Sequence, residues 1–266
     1  MQDLTVAIIQ DALHWQQAGA NRAQFADRLD ALVAAHKDTA IDVAVLPEMF
    51  TTGFTMNAAD VAEPMDGASL DWMRAQAARH NLVLTGSVVI TEGSHFFNRL
   101  LWVLPDGTVR SYDKRHLFRM AGEHEVYEAG TSQVVIEHKG WRVAPFICYD
   151  LRFPVWSRRR AGQGFDYDVA LYVANWPAPR HDAWHTLLRA RAMENQSYVV
   201  GVNRIGRDGN DIEYPGGSAV LDFLGRDLAN CHGELTAAVA TLSGDGLRQA
   251  RERFPLWRDA DDFVLE

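Results

Sequence analysis

Three side chains able to take part in catalysis each stand where a predicted strand ends. Glu48 follows VAVLP, Lys114 follows VRSYD, and Cys148 closes VAPFIC. In α/β sheets, ligand crevices form at the carboxyl ends of strands. A thiol can act as a nucleophile, a carboxylate can move protons, and an ammonium can stabilise a developing negative charge. The sequence therefore offers one group of each kind, each at the end of a strand.

Each of the three residues also has an ordinary structural interpretation. Free cysteines are among the most buried residue types, while glutamates and lysines usually face solvent. For the carboxylate, the neighbours argue otherwise, because Met49, Phe50 and Phe54 surround Glu48 with apolar groups. Apolar surroundings raise a carboxyl pKa, which suits a group that must accept and then donate a proton. Cys148 needs such a partner because an unperturbed thiol is mostly protonated at neutral pH.

Alternating strand and helix patterns organise the chain around these positions. Apolar residues at helical spacing predict helices that begin near Asn21 and Ser69, both suitable N-cap residues. PDG and Lys139-Gly140 each lie between two strand-like runs and predict hairpins. No linker or repeat interrupts the pattern, so we expect a single α/β domain over 1–266, with mixed sheets covered by helices.

The composition disfavours several classes of partner. The chain has 266 residues and a formal net charge of −9, whereas nucleic acids and anionic membranes are bound by a local excess of Lys and Arg. No apolar run approaches the roughly 20 residues of a membrane helix. The N-terminal stretch carries Asp3 where a signal peptide would be basic. Two cysteines, Cys148 and Cys231, exclude a disulfide framework, so we expect a cytoplasmic protein with free thiols.

One histidine pair has a spacing that could hold a metal ion. His181 and His185 lie one helical turn apart, but no third ligand is evident. The sequence also lacks the glycine-rich motifs of nucleotide-binding sites. We therefore expect neither a metal nor an organic cofactor.

Several segments together resemble the nitrilase, or carbon–nitrogen hydrolase, superfamily. LPEMF with Glu48, DKRHLF with Lys114 and ICYDLRFP with Cys148 are similar to its three catalytic segments and stand in the same order. VAIIQ, ANWP and LLRARAMENQSYVVGVNRIG extend the resemblance over nearly the whole chain. The resemblance implies a four-layer α-β-β-α sandwich of two mixed sheets that pairs through its α face into a homodimer. The tail, about 245–266, carries apolar residues among charges and would dock on its own domain or on the partner subunit.

The resemblance also implies a role for each reactive residue. Cys148 would attack the carbonyl carbon of an amide, and Glu48 would take the thiol proton and pass it to the departing ammonia. Glu48 would then activate a water that hydrolyses the thioester. Lys114 and the backbone N–H of Tyr149 would stabilise the tetrahedral oxyanion. The implied substrate is a small-molecule amide.

Superfamily members often have a second glutamate near this site. The segment FRMAGEHEVYEAG offers Glu123, Glu125 and Glu128. We favour Glu123, because its distance to Gly130 resembles the pattern of the family, while the other two stay open as alternatives.

The segments HLFRMAGE, CYDLRFPVWSR and ANWPAPR resemble the ω-amidase branch, whose substrates are α-ketoglutaramate and related ω-monoamides of dicarboxylic acids. Val155 stands where many other relatives carry Glu. A substrate carboxylate needs a cation in the pocket, and the sequence does not choose between Arg119, Arg152 and Arg180, of which we take Arg152 as the candidate. The candidate pocket walls, each also compatible with ordinary core packing, are Phe54, Tyr127, Tyr149 and Trp176.

Two other functions remain open at this point. A nitrilase or an N-carbamoyl-amine amidohydrolase would use the same three catalytic residues. A catalytically idle scaffold would be expected to lose one of them, and all three are present.

Overall fold

The computed structural model describes residues 1–162, 164–233 and 237–265. The strands of this part of the chain are β1 (Leu4–Ile9), β2 (Val43–Val45), β3 (Val83–Glu92), β4 (His95–Val103), β5 (Val109–Asp113), β6 (Ile136–His138), β7 (Trp141–Ile147), β8 (Val169–Ala174), β9 (Tyr198–Asn203), β10 (Ile205–Arg207), β11 (Glu213–Pro215), β12 (Ala219–Leu221), β13 (Asp227–Asn230) and β14 (Ala237–Leu242). The α-helices are α1 (Ala18–Ala35), α2 (Ala58–Val61), α3 (Ala68–His80), α4 (Glu123–Val126), α5 (Pro154–Ser157), α6 (His181–Asn195) and α7 (Gly244–Arg253).

Most strands form two mixed six-stranded sheets. The first has the order β14-β1-β2-β3-β4-β5, in which β1, β2 and β3 are parallel and the other neighbours are antiparallel. The second has the order β13-β12-β9-β8-β7-β6, with β7, β8 and β9 parallel. Strands β10 and β11 pair with each other as a separate hairpin. The parallel strands of each sheet therefore lie at its centre.

The two sheets pack face to face, and helices cover their outer faces. Along β1, Val6 and Ile8 belong to the same buried cluster as the side chains of the second sheet. The alternate residue Ile9 joins a second cluster with α1 and α3 on the outer face. Helix α6 packs closely on β9, where a Cβ at Gly201 would meet Leu188 at 2.6 Å. This helix–sheet–sheet–helix order confirms the predicted α-β-β-α sandwich.

Both predicted hairpins are present, but both predicted N-caps are wrong. Strands β4 and β5 flank PDG, and β6 and β7 flank Lys139-Gly140. Helix α1 begins three residues before Asn21, and the Asn21 side chain instead bonds the backbone of His14 and Thr51. Helix α3 begins after Gly67, and the Ser69 hydroxyl donates to a carboxylate outside the helix. Each of these polar side chains forms hydrogen bonds with a neighbouring loop rather than with the backbone at the start of its own helix.

The C-terminal tail docks on the protein's own second sheet. Arg251 of α7 donates to the Asp168 carboxylate at 2.6 Å, just before β8 begins. Further along, Leu265 packs against the large buried cluster that includes side chains of the second sheet. Three large apolar side chains of the tail stay exposed: Phe254 at 64%, Trp257 at 41% and Val264 at 88%.

Candidate active site

Three loops that follow strands bring the predicted catalytic residues together. Glu48 follows β2 and Lys114 follows β5, both in the first sheet, while Cys148 follows β7 in the second. Glu48 and Lys114 are fully buried, and Cys148 is half-buried. The site is thus built at the junction of the two sheets.

The Lys114 ammonium lies between two buried carboxylates. Its Nζ donates to Glu48 Oε1 at 2.9 Å and to both carboxylate oxygens of Glu123 at 2.9 Å. Glu123 is fully buried at the start of α4, and its Oε2 also accepts from the backbone N–H of Phe118. Glu125 and Glu128, the alternative auxiliary glutamates, have side chains that are 75% and 56% exposed.

Two asparagines hold Glu48 in position. Asn98 Nδ2 donates to Glu48 Oε1 at 2.8 Å, and Ser87 Oγ in turn donates to Asn98 Oδ1. The backbone N–H of Asn175 donates to Glu48 Oε2 at 2.7 Å, while its side-chain Nδ2 donates to the Glu48 backbone oxygen. Sequence reasoning missed the contact of Asn98. A polar residue near the start of the largely apolar run FNRLLWVL was the available signal.

A sharp turn places the Cys148 thiol at the end of β7. Cys148 has φ +45°, in the left-handed region that non-glycine residues rarely adopt. The buried Asp150 carboxylate braces this turn, because it accepts from the backbone N–H groups of Ile147 and His116 and from the Tyr112 hydroxyl. Cys148 Sγ lies 3.9 Å from the backbone oxygen of Asn175.

The charges of the site act on one another. Burial alone would lower the pKa of Lys114, but Glu123 and Glu48 together raise it above its ordinary value, so the side chain stays an ammonium. Burial raises the pKa of Glu123, and Lys114 opposes that shift. Burial and the Glu48 carboxylate raise the pKa of the Cys148 thiol well above its ordinary value. At neutral pH the sulfur is therefore a protonated thiol that has a carboxylate close by.

Cys148 and Lys114 open into a cavity of about 590 Å³. Four of the five predicted substrate-binding residues line it: Phe54, Tyr149, Arg152 and Trp176. The fifth, Tyr127, lies behind the wall, where its hydroxyl donates to the backbone oxygen of Thr55 at 2.6 Å. The Lys114 Nζ is 5.0 Å from the centre of the Phe54 ring.

Two of the three candidate arginines line the cavity. Arg152 lies over the Trp176 ring at 5.1 Å, and Arg180 lies over the Phe118 ring at 5.2 Å. The contacts with the aromatic faces orient both guanidinium groups. Arg180 also donates to Met120 Sδ at 3.1 Å. Arg119 is exposed and is not part of the lining.

The histidine pair bonds to itself. His185 Nε2 and His181 Nε2 are 2.9 Å apart, a hydrogen-bond distance. Among the described residues, no group of three or more His, Cys, Asp or Glu side chains is arranged to hold a metal ion. Within the same ranges, no helix combines the length and the apolar character that crossing a membrane requires.

The class of protein follows from the fold and the site together. A thiol beside a buried carboxylate and ammonium, in a cavity at the junction of two sheets, is typical of hydrolases with a cysteine nucleophile. The sequence matches the family model described as carbon-nitrogen hydrolase over residues 5–252. The chain belongs to the carbon–nitrogen hydrolase family, within the nitrilase superfamily.

Individual relatives agree with this family. The omega-amidase YafV of Escherichia coli (strain K12) is 48% identical over 266 residues, which cover all of both chains. A 2-oxoglutaramate amidase of Bacillus subtilis (strain 168) is 35% identical over 221 residues, covering 82% of this chain and 84% of the relative. Among solved structures, XC1258 from Xanthomonas campestris matches with a TM-score of 0.95, 44% identity and full coverage of both chains. That structure is described as a CN-hydrolase superfamily protein with an arsenic adduct in the active site.

Proposed function

We propose that the protein is an ω-amidase that hydrolyses a small ω-amide of a dicarboxylic acid, such as α-ketoglutaramate, to the acid and ammonia. The observation that carries the proposal is the Cys148 thiol beside the buried Glu48–Lys114–Glu123 group, in a cavity that two arginines line. The thiol serves acyl transfer, and the arginines suit a substrate that carries a carboxylate. The names of the relatives, omega-amidase and 2-oxoglutaramate amidase, support the same substrate class.

In the first step, Cys148 Sγ attacks the carbonyl carbon of the amide. Because the resting sulfur carries a proton, Glu48 accepts that proton as the carbon–sulfur bond forms. The negative charge on the carbonyl oxygen is stabilised by the Lys114 ammonium and the backbone N–H of Tyr149. Glu48 then gives its proton to the amide nitrogen, and the carbon–nitrogen bond breaks. Ammonia departs, and the acyl group stays bound to Cys148 as a thioester.

In the second step, water hydrolyses the thioester. Glu48, again a carboxylate, takes a proton from the water as its oxygen attacks the acyl carbon. The carbon–sulfur bond breaks, the thiolate takes the proton back from Glu48, and the free acid leaves. Glu123 stays a carboxylate beside Lys114 through both steps, so the ammonium keeps a partner when Glu48 is protonated.

Ammonia release tests the proposed function directly. The purified protein should release ammonia from α-ketoglutaramate, and Cys148→Ala should abolish the reaction while the circular dichroism spectrum is unchanged. Cys231→Ala is the matched control, because Cys231 is the other free cysteine and is buried in the hydrophobic core. Turnover by Cys148→Ala would contradict the mechanism. Faster hydrolysis of a nitrile or of an N-carbamoyl amino acid would indicate a nitrilase or an N-carbamoyl-amine amidohydrolase instead. Absence of turnover with all of these substrates would indicate a catalytically idle scaffold.

We propose that Arg152 binds the carboxylate of the substrate. Its guanidinium lines the cavity and is fixed over Trp176, so it can form two parallel hydrogen bonds to a carboxylate. Arg152→Met should therefore raise KM for succinamate about tenfold or more and leave neutral butyramide unaffected. Arg119→Met is the matched control, because Arg119 is exposed outside the lining. Equal losses on both substrates would argue against this assignment.

We further propose that the chain forms a cytoplasmic homodimer and folds as one domain over 1–266. Free thiols persist in a reducing compartment, and the chain has two of them. Phe254 and Val264 expose apolar surface on the tail, which suits a subunit interface. Sedimentation velocity should give a dimer mass, and removing the tail after Arg253 should lower it to that of a monomer.

A further inference from the structure

The buried carboxylates at one end of the site limit the size of the leaving group. Glu48 and Glu123 are fully buried and neither lines the cavity. The amide nitrogen must face Glu48 to be protonated, so that side leaves little room for a substituent on the nitrogen. This inference rests on the proposed function, and it means that the acyl chain of the substrate extends into the open cavity. The cavity wall then decides which acyl chains fit.

Part of that wall is built from two distant segments. Trp15 and Gln16 come from the loop after β1, while Asp208, Asn210 and Ile212 come from the turn between β10 and β11. The cavity volume of about 590 Å³ lies in the range of ordinary small-molecule sites, so volume alone does not exclude longer acyl chains. Selection by chain length therefore requires a wall that keeps its position.

The Trp15 indole is held in a slot between two glycines. A Cβ at Gly209 would lie 2.6 Å from Trp15 Cγ, and a Cβ at Gly53 would lie 3.0 Å from Trp15 Cε3. Real Cβ atoms essentially never approach below 3.0 Å, so the ring contacts the backbone of Gly209 directly. Gly53 also has φ +75°, which favours glycine at that position. Movement of the indole towards either glycine therefore requires one of these loops to move.

The turn on the far side of the slot is itself braced. Asp208 Oδ1 accepts from the backbone N–H groups of Asn210 and Ile212 at 2.8 and 3.0 Å. Asp208 Oδ2 accepts from the Tyr214 hydroxyl at 2.9 Å. These bonds tie the turn to the buried Tyr214, which also lines the cavity. Trp15 therefore packs against a turn that is fixed at three points.

From this geometry we propose that Trp15 is the specificity-determining residue that sets the length of the acyl chain the site accepts. The wedged indole acts as a fixed stop for the chain that extends from Cys148. Shortening Trp15 enlarges the cavity, whereas a methyl group at Gly209 pushes the indole and the turn apart. Either movement displaces a segment that lines the cavity.

The test compares succinamate, glutaramate and adipamate, each one methylene longer than the last, in wild type and three variants. One methylene in an apolar pocket changes kcat/KM by about tenfold or more. Trp15→Ala should raise the ratio of kcat/KM for adipamate over glutaramate about tenfold. Gly209→Ala should change that ratio by a similar factor, and its backbone lies outside the left-handed region. Gly19→Ala is the matched control, because nothing lies within 4 Å of its added Cβ.

The outcomes separate this inference from the function on which it rests. A wild type that hydrolyses none of the three amides contradicts the proposed function. If the wild type is active and Trp15→Ala and Gly209→Ala show the same chain-length preference as the wild type, only the role of Trp15 is overturned. If Trp15→Ala does not fold, Trp15→Phe and Gly209→Ala decide the question by the same ratio. A shifted preference in Gly19→Ala as well would show that the ratio does not report on the wall.

Discussion

At the scale of single residues, the buried ammonium of Lys114 depends on the two carboxylates around it. An unpaired charge in the interior is very costly, so a cation buried this deeply needs a partner at every stage of the reaction. When Glu48 accepts a proton it stops being that partner. Glu123 bonds the same Nζ with both of its oxygens and remains as the counter-charge. In the proposed mechanism, Glu123 therefore keeps Lys114 paired with a charge while Glu48 is neutral.

Replacing Glu123 with glutamine tests this task. Glu123→Gln keeps the size of the side chain but removes the negative charge, so protonation of Glu48 would leave Lys114 without a carboxylate. We expect kcat for α-ketoglutaramate to fall about 10²–10³-fold, the cost typical of losing one stabilising group at an oxyanion site, with a small change in KM. The measurement is steady-state ammonia release, with circular dichroism to establish that the variant is folded.

Glu125→Gln and Glu128→Gln are matched controls for the same chemical change. Both side chains are more than half exposed, whereas Glu123 is buried against Lys114. We expect both controls to keep the activity of the wild type. If Glu123→Gln kept the kcat of the wild type, or if a control variant lost as much kcat, Glu123 would have no specific role in catalysis.

At the scale of elements, the turn that carries Cys148 is held by one carboxylate. The Asp150 carboxylate accepts hydrogen bonds from the backbone N–H groups of Ile147 and His116. These two bonds join the end of β7 to the loop after β5. The Tyr112 hydroxyl of β5 binds the same carboxylate. Asp150 therefore connects the strand that precedes Cys148 to the strand that precedes Lys114, and so connects the two sheets at the site.

Asp150→Asn should weaken this connection. The amide offers one oxygen and one N–H₂ group, so at least one donor that now bonds the carboxylate would face another donor. Hydrogen bonds to a charged group contribute about 1.5–3 kcal/mol each, and we expect the free energy of unfolding to fall by at least that amount in urea titrations. Asp106→Asn is the matched control at an exposed turn, where Asp106 accepts from the Thr108 N–H, and we expect a change within about 0.5 kcal/mol. Equal effects of the two substitutions would show that Asp150 does not brace the turn.

Strands and hairpins were predictable from the sequence because their signals are local. Apolar runs gave the central strands, and PDG and Lys139-Gly140 gave the hairpins at the correct places. The helix starts were not predictable in the same way. Asn21 and Ser69 have the chemistry of N-caps, but their partners are the Thr51 backbone and the Glu63 carboxylate, and folding alone brings these close.

The site was predictable only as far as its strand ends. Glu48, Lys114 and Cys148 stand out because a polar or reactive residue ends a strand. The contact of Asn98 with Glu48 joins residues fifty positions apart, and a polar residue in an apolar strand does not indicate which distant residue it contacts. The choice between the three candidate glutamates likewise depends on which one the short helix α4 buries. Long-range packing decides both.

At the scale of the whole molecule, one buried carboxylate fastens the C-terminal helix to the second sheet. Asp168 is 1% exposed and accepts from Arg142 at the start of β7 and from Arg251 of α7. Burial alone would raise the pKa of Asp168, but the hydrogen bonds and charges of the two arginines hold it below its ordinary value. The folded protein therefore favours the ionised form more strongly than the unfolded chain does.

This pKa shift predicts where the protein loses stability in acid. A carboxyl whose pKa is lower in the folded state stabilises the fold above its unfolded pKa of about 4, and that contribution is lost as the pH falls through the folded value. Asp168→Asn removes the contribution and leaves two arginines without their shared carboxylate. We expect the variant to be about 3 kcal/mol less stable than wild type at pH 7, and the difference should shrink below about pH 4.

Urea unfolding across this pH range measures both parts of the prediction, with Asp259→Asn as the matched control. Asp259 lies on the same C-terminal segment but is exposed, so its substitution should leave the stability curve of the wild type unchanged. A difference between Asp168→Asn and wild type that stays constant from pH 7 to below pH 4 would mean that the Asp168 charge does not hold the helix. If instead the difference disappears with acid, the Asp168 charge holds α7 on the second sheet, and its protonation weakens that contact. Because the exposed side chains of the tail lie beyond this helix, the proposed dimer should then dissociate over the same pH range.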